Sequence, residues 1–272
     1  MTIEFSADYV EEECWDAEAE PSPTLQLEQG LLEALGGAGN GVEFRSLNLS
    51  LLNVTVWPLN LYELPSSGLK GFWGSQVSAF KMTVKSALYM EGAYSQDPET
   101  KFWETSFRDH ILPAFNPSKI TNLHLENDLT GISPEFPDIS FPSLRELTFV
   151  GFSVSRMPNI GHDRSTLEVF LDRHASTLSK LALINCSFIV EDGERNGGWA
   201  GLWKTLGSTM LSLTEVSYGT EDEDDRYIYC DVGFGYMSYD DVDAEWYEED
   251  NAALDALQLQ LHERRYVLRI NV

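Results

Sequence analysis

Residues 178–188 read LSKLALINCSF, with leucines at 178, 181 and 183 and a cysteine at 186. Apolar positions separated by three, two and three residues fit neither the roughly 3.6-residue period of a helix nor the strict alternation of a strand. They fit a short strand with a turn at each end. Leu181 and Leu183 obey the two-residue period and share one side, while Leu178 and Cys186 occupy the turns leading in and out and close the ends of the same core. A cysteine suits the last place because it is a small, buriable hydrophobe.

The frame recurs as FRSLNLSLL at 44–52, ITNLHLEND at 120–128, LRELTFVGF at 144–152 and LTEVSYG at 213–219, and a weaker copy, VSAFKM at 77–82, supplies a strand between the first two. Repetition of L-x-x-L-x-L-x-x-C is the signature of a leucine-rich repeat. Leu47, Phe80, Leu123, Leu147, Leu181 and Val216 hold the central position, so the intervals run from 24 to 43 residues, mostly beyond the usual period of about 20 to 29. The extra chain must cover the far side of the strands.

Helical patterns stand where that cover is needed. In STLEVFLDRHAST, Leu167, Phe170, Leu171 and His174 share a face behind a Ser165/Glu168 capping box. Trp199, Leu202, Trp203, Leu206 and Met210 repeat the scheme in GGWAGLWKTLGSTML, and Trp103, Phe107 and Ile111 do so before Pro113. LQLEQGLLEALGG precedes the first strand and ends at Gly36 and Gly37. Helix followed by parallel strand, repeated, predicts an α/β fold: an irregular leucine-rich-repeat solenoid with parallel strands on the concave face and helices on the convex face. RYIYCDVGFGYMSY alternates like a strand or a hairpin around Gly233 and Gly235, and DNAALDALQLQLHERR reads as a helix whose Leu254, Leu257 and Leu261 face the last repeat, with Asp250 or Asn251 as its N-cap. The expected organisation is an acidic arm over 1–23, the solenoid over 24–219, and an acidic loop with a hairpin-plus-helix cap over 220–272. Residues 221–225 are expected to be a mobile acidic loop.

Charge narrows the partners. The formal charge of -26 repels nucleic-acid phosphates, so no nucleic-acid role is expected. Cys14, Cys186 and Cys230 are odd in number and without a C-x-x-C pair, which suits a reducing compartment. With no apolar leader and no run of about 18 apolar residues, the expectation is an intracellular chain, cytoplasmic or nuclear, with no membrane partner. The sequons at Asn48, Asn53 and Asn185 are read as chance.

The motifs that carry chemistry fall short. GGAGNG at 36–41 leads from helix to strand, the reverse of the order that aims helix amides at phosphate. HERRY at 262–266 puts Tyr266 where a zinc-protease helix needs its second histidine. DDVDAEWYEEDNA lacks the glycine and closing glutamate of a calcium loop, and no G-x-S-x-G elbow occurs. No catalytic residue, metal ligand or cofactor is assigned. His174 is read as core, the tryptophans as core, and His124 as a solvated outward residue. The residues that project from the concave strands are Ser46 and Asn48; Asn122, His124 and Glu126; Glu146 and Thr148; Lys180 and Ala182; and Glu215 and Ser217. Mostly polar and small, they suit hydrogen-bonded recognition of a protein partner.

FPSLRELTFVGFSVS, LEVFLDRHASTLSKLALINCSF and WAGLWKTLGSTMLSLTEVSY, with the closing ALDALQLQLHERR, resemble the repeat region of fungal F-box/leucine-rich-repeat proteins over residues 120–265. The resemblance implies substrate recognition for a cullin-RING ubiquitin ligase, with an F-box holding a Skp1-type adaptor. Residues 1–43 offer an acidic arm and a single helix instead of an F-box, so adaptor binding is not carried over and the chain reads as a repeat-only relative. The leading expectation is a noncatalytic protein-interaction module. The alternatives are a metal-dependent enzyme using Asp240, Asp241 and Asp243, and a degenerate relative without binding function.

Overall fold

The computed structural model of the chain describes residues 2–4, 30, 47–55, 77–85, 100, 102–127, 132, 134–136, 138–154, 165–190, 197–220, 228–231, 235–237 and 244–270. The chain forms two compact units, Met1–Ser143 and Leu144–Val272. Both are mixed α/β, with mostly parallel strands accompanied by helices.

In the first unit, β1 (Thr2–Glu4), β2 (Leu47–Thr55), β3 (Val77–Lys85) and β4 (Asn122–Asn127) lie parallel in chain order. The weak copy at 77–82 therefore does supply the strand between 44–52 and 120–128. Register places Leu49, and not the expected Leu47, abreast of Phe80 and Leu123, since Leu47 pairs with Val77; Leu51, Met82 and Leu125 are abreast too, and all six of these inward residues are buried. Val77 and Ile120, the entry residues of their copies, are buried too. The segment expected as an ordinary helix over 102–113 differs. Phe102–Ile111 winds as a π helix and closes in a 3-10 turn, Leu112–Ala114, that contains Pro113. Trp103, Phe107 and Ile111 are four apart, a spacing that keeps them on one side of the wider winding as it would of an ordinary helix. All three are buried. The Trp103 indole donates to Asn127 Oδ1 at 3.1 Å, satisfying the inward polar side chain that ends β4.

In the second unit, β5 (Glu146–Val150), β7 (Lys180–Ile184) and β9 (Glu215–Gly219) are parallel. Leu147, Leu181 and Val216 are abreast, behind the buried entry residues Leu144, Leu178 and Leu213. Each of the first two strands then turns a corner. Gly151 (φ 75°) and Asn185 (φ 50°) sit there in the left-handed region, which glycine and asparagine tolerate best. The corners stack through Gly151 N–H to Ile184 O at 3.0 Å, Asn185 N–H to Gly219 O at 2.9 Å and Ser187 N–H to Phe152 O at 2.9 Å. Beyond them lies a second sheet that the apolar frame did not reveal: β6 (Ser153–Val154), β8 (Ser187–Val190) and β10 (Ile228–Asp231) are parallel. β11 (Gly235–Met237) pairs antiparallel with β10, giving the expected hairpin. The buried hydroxyls of Ser153 and Ser187 pair with each other at 2.5 Å.

Helix α1 (Thr166–Arg173) carries the capping box as read: Ser165 Oγ accepts from Glu168 N, and Glu168 Oε2 accepts from Ser165 N at 2.9 Å. Helix α2 (Gly198–Thr209) buries Trp199, Leu202, Trp203 and Leu206. Trp199 and Trp203 stack at 5.4 Å, and Tyr218 packs on both. Helix α3 (Ala244–Ile270) runs 27 residues, longer at both ends than the pattern at 250–265. Leu254, Leu257 and Leu261 are buried as expected.

Asp250 does not cap its own helix, because α3 begins six residues earlier. It caps α2 instead. Its fully buried carboxylate accepts Ala200 N–H at 2.7 Å and the Tyr229 hydroxyl. At the other end of α2, Arg264 donates to the carbonyls of Gly207 at 2.6 Å, Met210 at 2.8 Å and Leu213 at 3.3 Å. One helix thus places an anion at its neighbour's amino end and a cation at its carboxyl end, the two placements the helix dipole favours. Of the helix expected over 25–37 the structure describes Gly30 alone, in helical conformation; the GGAGNG segment, Gly233 and the acidic loop at 221–225 lie outside the described residues.

Removing the Asp250 carboxylate leaves two buried donors without an acceptor, each costing about 1 to 3 kcal/mol. Asp250→Ala is expected to lower the urea midpoint by an amount equivalent to about 2 to 6 kcal/mol, with an unchanged slope. An Asp250→Ala variant within about 0.5 kcal/mol of the parent contradicts the clamp.

Candidate functional site

The outward faces of the parallel strands are where the chain presents chemistry in register. In the first unit, one row runs Asn48, Ala79, Asn122 and the next Ser50, Lys81, His124, with Thr83 abreast of Glu126 beyond. Ser46 lies outside the described residues. Lys81 Nζ is 3.5 Å from Glu126 Oε2, and His124 Nε2 is 3.4 Å from the same oxygen. One carboxylate therefore bridges a lysine and a histidine on adjacent strands. His124 is half-buried, and burial, assisted by the Lys81 charge, pulls its pKa below the ordinary value against the pull of Glu126. The imidazole is neutral near pH 7 and can both donate and accept a hydrogen bond.

In the second unit three rows cross the strands: Glu146–Lys180–Glu215, Thr148–Ala182–Ser217 and Val150–Ile184–Gly219. They grade from charged through small to apolar. Lys180 Nζ is 2.8 Å from Glu146 Oε1, and the Glu146 hydrogen bond and charge, with Glu215 adding, hold the ammonium above its ordinary pKa. Lys180, Glu215 and Ser217 are exposed, while Glu146, Thr148 and Ala182 are half-buried. Every described member of the sequence-derived set thus stands on the outward side of its own sheet.

That set omitted Ser50, Lys81 and Thr83, and also Val150 and Ile184. Alternation alone points to all of them: Lys81 lies between the inward Phe80 and Met82, and the others follow when each strand is continued one step past its apolar frame. Lys81 matters most, since it is the cation that faces both Glu126 and His124.

Elsewhere in the first unit, Arg108 bridges Asp109 at 2.7 Å and Glu135 at 2.5 Å, which raises its pKa. Burial and the Glu135 charge push the Glu104 carboxyl above its usual range. His174 is buried, with Nδ1 2.7 Å from Phe170 O; burial lowers its pKa, so the neutral ring donates Nδ1–H to that carbonyl. Cys186 is buried at the corner, its thiol 3.4 Å from Ile184 O and 3.6 Å from Phe149 O, and burial pushes its pKa up to about 12. Burial and the Asp231 charge also raise Cys230. Asp240, Asp241, Asp243 and Cys14 lie outside the described residues. Among the described residues, no group of three or more histidine, cysteine or acidic side chains could hold a metal ion, and no helix is long and apolar enough to cross a membrane.

These elements define a mixed α/β protein whose mostly parallel strands turn apolar residues inward and polar rows outward. Comparison with known proteins adds no relative: no family model, curated protein or solved structure matches the chain.

Two outcomes are expected. At pH 8, iodoacetamide followed by mass spectrometry modifies Cys186 only after denaturation, because so little of its buried thiol is thiolate; rapid native modification contradicts the corner geometry. Second, a folded-state histidine pKa below the unfolded value of about 6.5 means that the unfolded chain takes up the proton first. The stability His174 contributes is therefore full above about pH 6.5 and falls as pH drops towards its folded value. His174→Gln should flatten that fall in urea titrations, and ring nitrogen NMR should show His174 titrating below about 6.5.

Proposed function

We propose that the chain is a noncatalytic protein-interaction module of leucine-rich-repeat type, with the outward faces of its parallel strands as the partner surface. The observation that carries the reading is the division between the two sides of each strand. Inward positions, Asn127 apart, are apolar, whereas outward positions form registered rows of charged, small and apolar groups, as in Glu146–Lys180–Glu215, Thr148–Ala182–Ser217 and Val150–Ile184–Gly219. The small middle row lets another chain approach the backbone closely. The flanking rows supply salt-sensitive pairing on one side and apolar contact on the other, the mixture found across protein interfaces.

Substrate recognition in a ubiquitin-ligase setting is the more specific form of the same reading. It draws on the resemblance over residues 120–265 to fungal F-box/leucine-rich-repeat proteins, and the chain acts there as a repeat-only relative in the cytoplasm or nucleus. The net charge of -26 supports a protein partner over a nucleic acid.

The test exchanges the charges of one ion pair. Lys180→Glu with Glu146→Lys keeps a pair on the exposed face and is expected to leave the urea midpoint unchanged. In pull-downs from a fungal lysate, proteins retained by the parent chain should be lost by the exchanged variant. Identical recovery by both rules out this face as the partner surface.

A further inference from the structure

The carboxyl-terminal half of α3 carries a second surface that differs from the sheet faces in sign and shape. His262, Arg265, Tyr266 and Arg269 recur at i, i+3, i+4 and i+7 and line a cleft of about 220 Å³. All four are exposed. Among the described residues, neither Arg265 nor Arg269 makes an ion pair, whereas their neighbour Arg264 turns inward to α2.

Beside the two arginines runs an apolar row. Leu259, Tyr266 and Ile270 are 61%, 62% and 64% exposed, and their spacings of seven and four residues set them along one stripe of the helix. The buried stripe of Leu254, Leu257 and Leu261 lies on another side. Glu263 flanks the apolar row on the side away from the arginines. An exposed cationic row against an exposed apolar row is unusual in a chain with 44 acidic and 18 basic residues. Nothing in the packing of α3 against α2 requires it, since Asp250, Arg264 and the three leucines supply that packing.

We propose that this face of α3 is a docking site for a short acidic peptide segment that also carries apolar side chains. Arginines at 265 and 269 present guanidinium forks to its carboxylates, while Leu259, Tyr266 and Ile270 take its apolar residues. Charge complementarity selects this occupant. A membrane plane or a nucleic-acid duplex extends far beyond the patch and meets the remaining acidic surface. A peptide a few residues long stays within about 8 Å of the cations, the screening distance at physiological salt, and is shielded from the rest.

The test uses the full chain and a fluorescein-labelled peptide of interspersed glutamate and leucine. Its comparisons are the same peptide with glutamine for glutamate, and phosphatidylserine-containing vesicles. Saturable binding of the acidic peptide, weakening as salt rises, is expected. Arg265→Glu with Arg269→Glu should lower affinity by about tenfold or more, equivalent to about 1.4 kcal/mol, and Leu259→Ser should also lower it. Lys180→Glu, on the sheet face, should leave it unchanged, so failure here is distinct from failure of the sheet-face reading. Circular dichroism verifies that the variants keep their helix, with Arg265→Gln plus Arg269→Gln replacing the charge reversal if they do not. Equal affinity for the glutamine peptide, undiminished binding by the arginine variant, or binding to vesicles without binding to the peptide would each overturn the proposal.

Discussion

Parallel strands that share a core must turn the same alternate residues inward, and the rest of this structure follows from that constraint. Leu147, Leu181 and Val216 lie abreast, as do Leu49, Phe80 and Leu123. A slip of one residue in any of these pairings would bring a glutamate, lysine or asparagine into the apolar layer and expel a leucine. Burying a charged group without a partner costs far more than a marginally stable domain can lose. The register is therefore strongly fixed, and it fixes the composition of the outward rows as well. The surface chemistry is the complement of the packing.

Much of this could be read from local spacing. The three-two offset names the inward pair of each strand without knowledge of its neighbours, which is why 120–125, 144–149, 178–183 and 213–218 were legible. The outward residues follow as the positions in between. Continuations past the corner were less accessible. Ser153–Val154 and Ser187–Val190 are two and four residues long, too short for a periodicity to establish itself, and their sheet exists only because Gly151 and Asn185 turn each strand in the same way. The π winding of Phe102–Ile111 was also hidden, since a spacing of four is compatible with an ordinary helix until the hydrogen bonds are seen.

Lys81 and Asp250 show a different limit. Lys81 was visible in VSAFKM, yet its role depends on Glu126 and His124, which reach it only through the pairing of β3 with β4. Asp250 looks from the sequence like the start of a helix, as acidic residues often are. It is buried within one and caps another, and that partner, Ala200, is 50 residues away. Local rules assign a side chain to its own segment. Tertiary contacts reassign it when a buried backbone donor elsewhere has greater need of an acceptor.

The same clamp links the behaviour of α2 and α3 over time. The amides at the start of α2 and the carbonyls at its end find partners on one neighbouring helix, so fraying at either terminus of α2 requires Asp250 or Arg264 to let go. Neither helix has an inexpensive way to open while the other stays closed. The pair therefore behaves as a single cooperative unit in native-state fluctuations, its protection set by whole-unit opening instead of end-by-end loosening.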